Sequence, residues 1–365
     1  GDVRDNPDYA RTLRRIAREG PAAFYQGEIA AAIAAAAQAA PNPGTLTVRD
    51  IAGYQAIKRD PVCGDFREMK ICSASPPSSG AIQIMMANLY DLLSAEAETF
   101  DDRIAAFVDA QRLAYADRDH YFGDPDRIDI PVDELLHPDY LRFRAANPIP
   151  PDAEPTHGNP ADVLGTDEMA WAADTTEEAA GTTHLSIVDA DGNAVSATMT
   201  VEAPFGSHRW AAGFLLNNEL TDFARRVPAS GDLPANAVAP GARPRSSMSP
   251  TILLDDNGEL LMVTGSPGGN SIPAYTQKSI LGILDWNLSV QDAVDFPNII
   301  ARGKRVRVEI AEEPGPALAD MLKSRGYEVQ EREGENSGLH VIYVRDGERV
   351  GAADKRREGT VETVP

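Results

Sequence analysis

Apolar residues recur at helical spacing through the first part of the chain. Within residues 8–19, Leu13 and Ile16 lie on one face of a predicted helix. The same spacing predicts further helices over residues 28–40, 81–95, 100–116 and 132–146. Two strands are predicted between the second and third of these helices. One ends at Pro61 and the other at Cys72, with a turn at residues 64–66 between them.

Residues 147–180 interrupt this pattern. The segment holds five prolines and eight acidic residues but no Lys or Arg. A segment of this composition cannot bury much apolar surface, so it predicts an exposed or mobile linker.

Strands predominate from Thr182 onwards. The pairs Asp191-Gly192 and Asn257-Gly258 predict hairpin turns. Helices fit residues 272–284 and 316–325, and Pro316 suits a first helical turn, where its missing N–H is no loss. The closing strands are predicted over residues 306–310, 340–344 and 350–353. Strands in the middle with helices on both sides indicate a mixed α/β protein.

The balance of charge excludes several classes of partner. The formal net charge is −22 and the isoelectric point is near 4.6. Nucleic acids and anionic membranes require clustered Lys and Arg, so we expect neither as a partner. The absence of a run of 18 apolar residues predicts no membrane-spanning helix. The chain as given shows no signal peptide, and its start at Gly1 rather than Met is compatible with a missing upstream segment.

Cys63 and Cys72 lie on either side of the predicted turn and leave two interpretations. They form either a cross-hairpin disulfide or two buried thiols, and the second is favoured. The two cysteines and six scattered histidines match no zinc pattern, and no His-Glu-x-x-His occurs. The sequence therefore predicts no metal and no other cofactor.

The candidate chemistry centres on Gly181-Thr182-Thr183-His184, which opens an alternating strand. A threonine acts as a nucleophile only if a base takes its proton, and an N-terminal threonine carries its own base, the α-amino group. Cleavage between Gly181 and Thr182 would create this pair. Taken alone, however, a Gly-Thr-Thr sequence favours an ordinary hairpin.

Further blocks accompany this stretch in a fixed order. Downstream they are Thr200-Val201-Glu202, Phe205-Gly206-Ser207, residues 213–223, residues 243–251 (RPRSSMSPT) and Gly265-Ser266-Pro267-Gly268-Gly269. Upstream they are residues 22–27 (AAFYQG), Pro76-Pro77-Ser78-Ser79-Gly80 and Ala116-Asp117-Arg118-Asp119. Together they resemble the γ-glutamyltranspeptidase family, a self-cleaving branch of the N-terminal-nucleophile hydrolases.

The resemblance implies an α+β fold, the four-layer α-β-β-α sandwich of these hydrolases. It implies that residues 1–181 form the C-terminal part of a large subunit and residues 182–365 a small subunit, which associate after autocleavage. It also implies a γ-glutamyl donor such as glutathione, a γ-glutamyl-threonine ester, and water or an amine as acceptor. A periplasmic or secreted location is typical of the family.

The resemblance gives four residues roles in the reaction itself. Thr182 matches the nucleophile, and Thr200 matches the second threonine whose hydroxyl supports it. Gly268 and Gly269 match the oxyanion-hole pair, where glycines let backbone N–H groups approach a developing negative charge. The ordinary alternatives are a β-branched strand residue for Thr200 and a simple turn for the glycines.

Five residues match substrate-binding positions. Glu219 and Asp222 match groups that hold the substrate α-ammonium, and Ser246 and Ser247 match donors to its α-carboxylate. Glu202 stands where well-known members carry an Asn near the α-amino group, so its charge is expected to alter the acyl-donor preference. Solvated surface residues and loop serines are the ordinary interpretations.

The resemblance covers roughly the last three-fifths of a full-length member. The arginine with which the family binds the α-carboxylate lies in the part without a counterpart, so no arginine is assigned this role. Residues 225–242 occupy the place of the lid loop and contain no Tyr or Trp, which predicts an open donor site. Two alternatives remain: a cephalosporin-acylase-like enzyme of the same fold and an inactive truncated paralogue.

Overall fold

A computed structural model describes residues 3–167, 169–226, 228 and 231–364. The chain divides into two compact units. The smaller unit combines the chain before Asp60 with Thr200–Glu219, and the larger combines Asp60–Met199 with the chain after Glu219. Glu168 of the predicted linker, and Val227, Ala229 and Ser230 of the predicted lid loop, lie outside the described residues.

The helices and strands follow one another along the whole chain. The helices are α1 (Pro7–Glu19), α2 (Ala22–Tyr25), α3 (Gly27–Ala37), α4 (Val48–Gly53), α5 (Gly80–Leu93), α6 (Phe100–Tyr121), α7 (Val132–Leu135), α8 (Pro138–Ala146), α9 (Ala161–Leu164), α10 (Ile272–Leu284), α11 (Val290–Asp295) and α12 (Gly315–Ser324). The strands are β1 (Val62–Phe66), β2 (Met69–Ser73), β3 (Thr182–Val188), β4 (Ala194–Thr200), β5 (Trp210–Ala211), β6 (Phe214–Leu215), β7 (Thr251–Leu254), β8 (Leu260–Gly265), β9 (Ile299–Ile300), β10 (Arg305–Glu309), β11 (Glu328–Arg332), β12 (His340–Arg345) and β13 (Glu348–Ala353).

A six-stranded antiparallel sheet forms the centre of the larger unit, in the order β1-β2-β7-β8-β12-β13. Buried Ile71, Leu253 and Val341 from its strands join the large apolar core with α5, α6 and α10. The β3–β4 hairpin lies against β8 and β12. Two hydroxyl groups join them: Ser186 Oγ donates to the His340 carbonyl (3.1 Å), and Ser196 Oγ donates to the Thr264 carbonyl (3.0 Å). The strand that begins with Thr182 is thereby fixed to the central sheet.

A second sheet of the larger unit has the order β11-β10-β9. Strands β10 and β11 are parallel, so the chain crosses between them through α12, which packs on both. Pro316 lies in the first turn of α12, as predicted.

The smaller unit is built around a short helical cluster. Ile29 and Ile33 of α3 pack with Ile51 of α4 and with Ala211 of the β5–β6 hairpin. The Arg209 guanidinium donates to four carbonyl groups within residues 36–42, which ties the β5–β6 region to the chain that leaves α3.

Helical periodicity locates most helices within a few residues. Helix α6 extends to Tyr121, beyond the predicted end at 116, and α3 ends at Ala37 rather than at residue 40. The single helix predicted over residues 132–146 is wrong. It is divided into α7 and α8, because His137 takes an extended conformation before Pro138, as residues that precede proline do.

The predicted strand ending at Pro61 and the predicted turn at residues 64–66 are also wrong. Strand β1 begins at Val62, and the turn falls on Arg67, whose φ is +56°, and Glu68. Gly64 lies within β1, where a Cβ atom would lie only 2.5 Å from the Ile84 side chain of α5. The glycine therefore serves close packing rather than a turn.

The favoured interpretation of the two cysteines as buried thiols is wrong. In the antiparallel register of β1 and β2, Cys63 lies directly opposite Cys72, with their Cα atoms 4.1 Å apart, and the two form a disulfide. Cys63 is exposed and Cys72 is half-buried. The bond links the edge strand of the central sheet to its neighbour.

Side chains of the larger unit hold the predicted linker, residues 147–180, at several points. Arg112 donates to three carbonyl groups within residues 149–153, and Arg144 donates to the Thr156 carbonyl (3.0 Å). Asp174 and Thr176 are buried. The segment lacks cations of its own, but arginines elsewhere in the larger unit satisfy its carbonyl and carboxylate groups.

Helices within the described ranges are all too short or too polar to cross a membrane. The same residues contain no group of three or more His, Cys, Asp or Glu side chains placed to hold a metal ion.

We expect protein purified without reductant to contain no free thiol when it is denatured. Because the disulfide closes a short loop, the Cys63→Ser/Cys72→Ser variant should lose about 2–3 kcal/mol of unfolding free energy. Thiol titration and urea unfolding measure the two effects. Wild-type protein with reduced cysteines is the control, and its unfolding free energy should match that of the double variant. Two titratable thiols in the unreduced protein would contradict the assignment.

Candidate active site

The peptide bond before Thr182 is held by one guanidinium group. Thr182 is buried at the start of β3. Arg357 Nη1 donates to the Thr182 carbonyl (2.8 Å), and Arg357 Nη2 donates to the Ala180 carbonyl (2.9 Å). The two contacts lie on either side of Gly181 and fix the backbone of the predicted cleavage site.

The Gly268–Gly269 turn lies against the residues just before this peptide. Both glycines have positive φ, +137° and +56°, and they connect β8 to α10. A Cβ atom at Gly269 would lie 2.4 Å from the Glu178 carbonyl oxygen and 2.8 Å from that of Ala179. Only glycine allows this approach of two backbones. The structure thus brings the predicted oxyanion pair next to the segment that leads into Thr182.

Asn270 extends the contact between the same two segments. Its Oδ1 accepts a hydrogen bond from the Glu178 backbone N–H, and its own carbonyl accepts from the Tyr115 hydroxyl (2.6 Å). Because Asn270 follows the diglycine turn directly, its hydrogen bond adds a second contact between the turn region and residues 178–179.

Ser246 and Ser247 belong to a buried polar network. The Ser247 N–H donates to Glu178 Oε2 (2.8 Å), and Ser247 Oγ accepts from Arg118 Nη2 (2.6 Å). Arg118 Nε donates to Ser79 Oγ (2.8 Å), which in turn donates to the Ser246 carbonyl (2.7 Å). Three sequence blocks far apart in the chain therefore meet at this network.

Arginines and carboxylates alternate around the network. Arg118 contacts Glu178 (2.6 Å) and Asp119 (3.2 Å), while Arg245 contacts Asp174 (3.2 Å) and Asp119 (3.6 Å). Burial alone would raise the pKa of Glu178, but Arg118, Arg245 and the Ser247 contact outweigh it and lower the pKa. Glu178 is therefore ionised at neutral pH.

The sequence patterns gave no role to Arg118, Glu178 or Ser79, and they left Arg245 only as a conditional alternative for binding the α-carboxylate. The blocks around Ser79 and Arg118 stood out in the sequence, yet no spacing rule joins residues so far apart. Glu178 lay hidden among the acidic residues of the predicted linker. Their common location becomes evident only in the fold.

Thr200 and Glu202 occupy a tight turn of the smaller unit. Thr200 Oγ1 accepts from the Glu202 N–H (2.8 Å), and Glu202 has a positive φ of +72°. The Glu202 side chain is buried, and its Oε2 accepts from Asn218 Nδ2. Asn218 Oδ1 accepts from the Ala203 N–H (2.9 Å), so the carboxylate is part of a closed local network.

Glu219 and Asp222 open and close a short 3₁₀ helix. Glu219 is half-buried at the end of the smaller unit, and Asp222 is buried in the larger unit. The Asp222 carbonyl accepts from Asn236 Nδ2 (2.7 Å), which also donates to Asp174 Oδ2 (2.9 Å). Asn236 therefore connects Asp222 to the carboxylates around Arg245.

The predicted site residues thus fall into two sets. In the larger unit, Gly269 and Ser247 contact residues 178–179, just before Thr182, with Gly268 beside Gly269 and Ser246 beside Ser247. Asp222 joins the same unit through Asn236. Thr200, Glu202 and Glu219 belong to the smaller unit.

His184, the third residue of the Thr-Thr-His sequence, has a packing role. Its ring fills the space that a Cβ atom at Gly265 would need, 2.3 Å from that position. Nδ1 contacts Thr198 Oγ1 (2.8 Å), and Nε2 contacts Ser186 Oγ (3.2 Å). Burial, with a smaller contribution from His340, lowers the pKa of His184 to about 3, so the ring is neutral at physiological pH.

A cavity of about 740 Å³ opens beside the network without including a predicted site residue in its wall. Asn270, Ser271, Glu177 and Arg302 form part of its lining. Arg302 is held by Asp119 (2.9 Å), so its charge is already neutralised.

Residues 1–364 match the family model described as Gamma-glutamyltranspeptidase. The chain belongs to the γ-glutamyltranspeptidase family. It is 34% identical over 368 residues to the glutathione hydrolase proenzyme of Escherichia coli strain K12, covering 98% of this chain and 61% of that relative. It is 31% identical over 361 residues to the acylase ACY 1 proenzyme of Pseudomonas sp. strain SE83, covering 97% and 60%. The chain therefore spans about three-fifths of these relatives.

A solved structure of similar fold confirms the predicted fold class. The cephalosporin acylase from Bacillus halodurans superposes with a TM-score of 0.83 at 25% identity, covering 99% of this chain and 63% of that one. The chain has the α+β fold of the N-terminal-nucleophile hydrolases.

The close approach at Gly269 predicts a specific sensitivity. Gly269→Ala should strain a positive φ and also push residues 178–179 away, for a combined loss of about 2–4 kcal/mol of unfolding free energy. Gly258→Ala is the matched control: it has a similar φ of +81° but nothing within 4 Å of the added Cβ atom. It should lose only about 1–2 kcal/mol.

Hydrogen exchange distinguishes backbone strain from displacement of residues 178–179. In the wild type the Glu178 N–H donates to Asn270 Oδ1, so only Gly269→Ala should speed exchange at this amide. Equal stability and equal exchange in the two variants would show that the turn does not support residues 178–179.

Proposed function

We propose that this chain is the precursor of a γ-glutamyl hydrolase or transferase that cleaves itself between Gly181 and Thr182. The observation that carries the proposal is the held peptide: Arg357 contacts the carbonyls on both sides of Gly181, and the diglycine turn abuts residues 178–179. A fixed backbone beside a buried hydroxyl is what an intramolecular acyl shift requires. Family membership and the proenzyme names of the relatives agree with it.

Cleavage begins with the Thr182 hydroxyl. Its oxygen attacks the Gly181 carbonyl carbon, the C–N bond breaks, and the amide becomes an ester with a free Thr182 amine. Water then hydrolyses the ester, leaving a carboxylate at Gly181 and restoring the hydroxyl. The new chains correspond to residues 1–181 and residues 182–365, and we propose that they remain associated as large and small subunits.

Turnover uses the same oxygen. The freed amine accepts the hydroxyl proton while Thr182 attacks the γ-carbonyl of a donor such as glutathione, and the donor's amine leaves with a proton. Water or an acceptor amine then resolves the γ-glutamyl ester. Thr200 would support the nucleophile, and backbone N–H groups of Gly268 and Gly269 would stabilise the oxyanion.

The substrate's amino-acid end would be bound by charge and hydrogen bonding. Asp222, Glu219 and Glu202 are the proposed partners of the α-ammonium, and Ser246 and Ser247 are the proposed donors to the α-carboxylate. A second candidate function is an acylase on another acyl donor. The similarity to two acylases favours it, as does the buried carboxylate of Glu202.

Thr182→Ala should remain a single chain, because the substitution removes the attacking oxygen. Thr182→Ser should retain some cleavage because it keeps a hydroxyl. Intact mass and N-terminal sequencing of aged protein measure the outcome. Thr183→Ala is the matched control, since this neighbouring side chain is exposed, and it should yield the same new N-terminal Thr182. A new N-terminus at another residue, or cleavage of Thr182→Ala, would refute the assignment.

Asp222→Ala should weaken hydrolysis of a γ-glutamyl anilide by roughly 100-fold, since an unpaired buried charge costs about 3 kcal/mol. The assay uses a cleaved full-length chain and compares KM and kcat. Asp232→Ala, an exposed acidic residue nearby, is the control and should match the parent. Parental activity in Asp222→Ala would place the ammonium pocket elsewhere or indicate a donor without an α-amino group, which would favour the acylase.

A further inference from the structure

The Glu178 carboxylate is bound as a ligand would be. Its side chain is 6% exposed, and both of its oxygens have donors. Oε2 accepts from the Ser247 N–H (2.8 Å), and Oε1 accepts from Arg118 Nη2 (2.6 Å). The Arg118 side chain is fully buried and also holds Ser247 Oγ. A buried guanidinium with a backbone N–H and a hydroxyl beside it is suited to binding a carboxylate.

The site retains unused donors around Glu178. Within the described part of the chain, Arg245 Nε and Nη1 make no hydrogen bond; Nε lies 4.0 Å from Glu178 Oε1, and Nη1 lies 3.6 Å from Asp119 Oδ1. Both atoms are buried, and buried N–H groups without hydrogen bonds are costly. The local structure therefore offers more donors than the Glu178 side chain alone satisfies.

The balance of charge around Glu178 depends on a segment that precedes the predicted cleavage point. Arg118 and Arg245 are fully buried and face three carboxylates, those of Asp119, Asp174 and Glu178. Asp119 lies on α6, but Asp174 and Glu178 both lie within residues 147–180. If that segment withdrew, the two arginines would keep a single carboxylate partner and would need an anion.

We propose that Glu178 occupies, in the uncut chain, a carboxylate-binding site formed by Arg118 and Ser247 with Arg245 beside them. Glu178 is a positioning residue for self-cleavage, since it anchors the backbone four residues before Thr182, and it excludes other carboxylates until the segment leaves. The inference rests on the proposed function. It adds that Arg118 and Arg245 supply, from within this chain, the positive charge that the sequence resemblance could not assign.

Two consequences follow from this arrangement. Before cleavage, residues 178–179 are held through the Glu178 side chain and through the backbone, which abuts the diglycine turn. After cleavage, the same site accepts a carboxylate from outside. A merely structural ion pair would share the first property but not the second.

The test replaces the missing carboxylate from solution. Glu178→Ala removes a CH₂–COO⁻ fragment, which acetate restores almost atom for atom. In the uncleavable Thr182→Ala background, Glu178→Ala should make the thermal unfolding midpoint rise with acetate by several degrees. Neutral acetamide, or chloride at equal ionic strength, should not raise it. Thr182→Ala alone should not respond to acetate, because its site is filled.

Cleavage provides the second measurement. Glu178→Ala with Thr182 intact should form the new N-terminal threonine at least 10-fold more slowly than the parent, and acetate should recover several-fold of the loss. Glu177→Ala is the matched control, since its carboxylate is exposed and adjacent in the chain, and it should cleave at the parental rate. Glu178→Gln keeps the shape of the side chain, so it should fold, but it should cleave slowly and show no rescue by acetate. This variant separates the loss of charge from a failure to fold.

The outcomes separate this inference from the proposed function. If the parent cleaves but Glu178→Ala cleaves equally fast and shows no acetate-specific stabilisation, the inference fails and the proposed function stands. If the parent never cleaves, the self-cleavage and the positioning role fail, while an acetate-specific shift in the double variant would still establish the carboxylate site. An equal acetate response with Glu178 present would overturn that site.

Discussion

Buried arginines that require carboxylate partners organise the region around the Gly181–Thr182 peptide. Removing a guanidinium from water is costly unless opposite charge and hydrogen bonds compensate. Arg118 and Arg245 meet this requirement by drawing in Glu178 and Asp174, which belong to the acidic segment before Thr182. The position of the segment follows from this pairing, and the position of the peptide bond follows from the segment.

The same physical rule explains why a proline-rich, acidic segment is ordered without forming regular structure over most of its length. Some of its carbonyl groups accept hydrogen bonds from backbone N–H groups within the segment, and others are satisfied by side chains from outside it. Arg112 and Arg144, both buried on helices, donate to carbonyls at residues 149–156. Composition shows that the segment has no Lys or Arg of its own, but it does not show that neighbouring helices supply the donors.

The sequence predicts the regular parts of the fold well because periodicity is a local property. Helix α10 and the strands on either side of Asn257-Gly258 lie where their patterns indicate. The errors arise where a tertiary contact overrides a local preference. Gly64 reads as a turn residue, yet the Ile84 side chain needs the space of its missing Cβ, and the turn moves to Arg67.

The candidate site illustrates the same limit. The resemblance supplied Thr182, Gly269 and Ser247, and the fold brings Gly269 and Ser247 against residues 178–179 just before Thr182. Their roles in catalysis and substrate binding stay predictions. Arg118 and Glu178 received no role from the sequence because they pair across 60 residues of chain, which no sequence pattern encodes.

The two sides of the Gly181–Thr182 peptide are held by different kinds of interaction. After it, β3 is fixed through its hairpin partner and through hydroxyl contacts to the central sheet, none of which involves the preceding segment. Before it, residues 174–180 depend largely on ion pairs and on single hydrogen bonds, such as the one that Arg357 donates to the Ala180 carbonyl and the one that Asn270 accepts from the Glu178 N–H. An anion from solution can take the place of a carboxylate beside a buried arginine, whereas nothing in solution replaces a strand packed on a sheet. A cut at this peptide would therefore free the upstream residues and leave Thr182 in place, which is the asymmetry that a nucleophile created by cleavage requires.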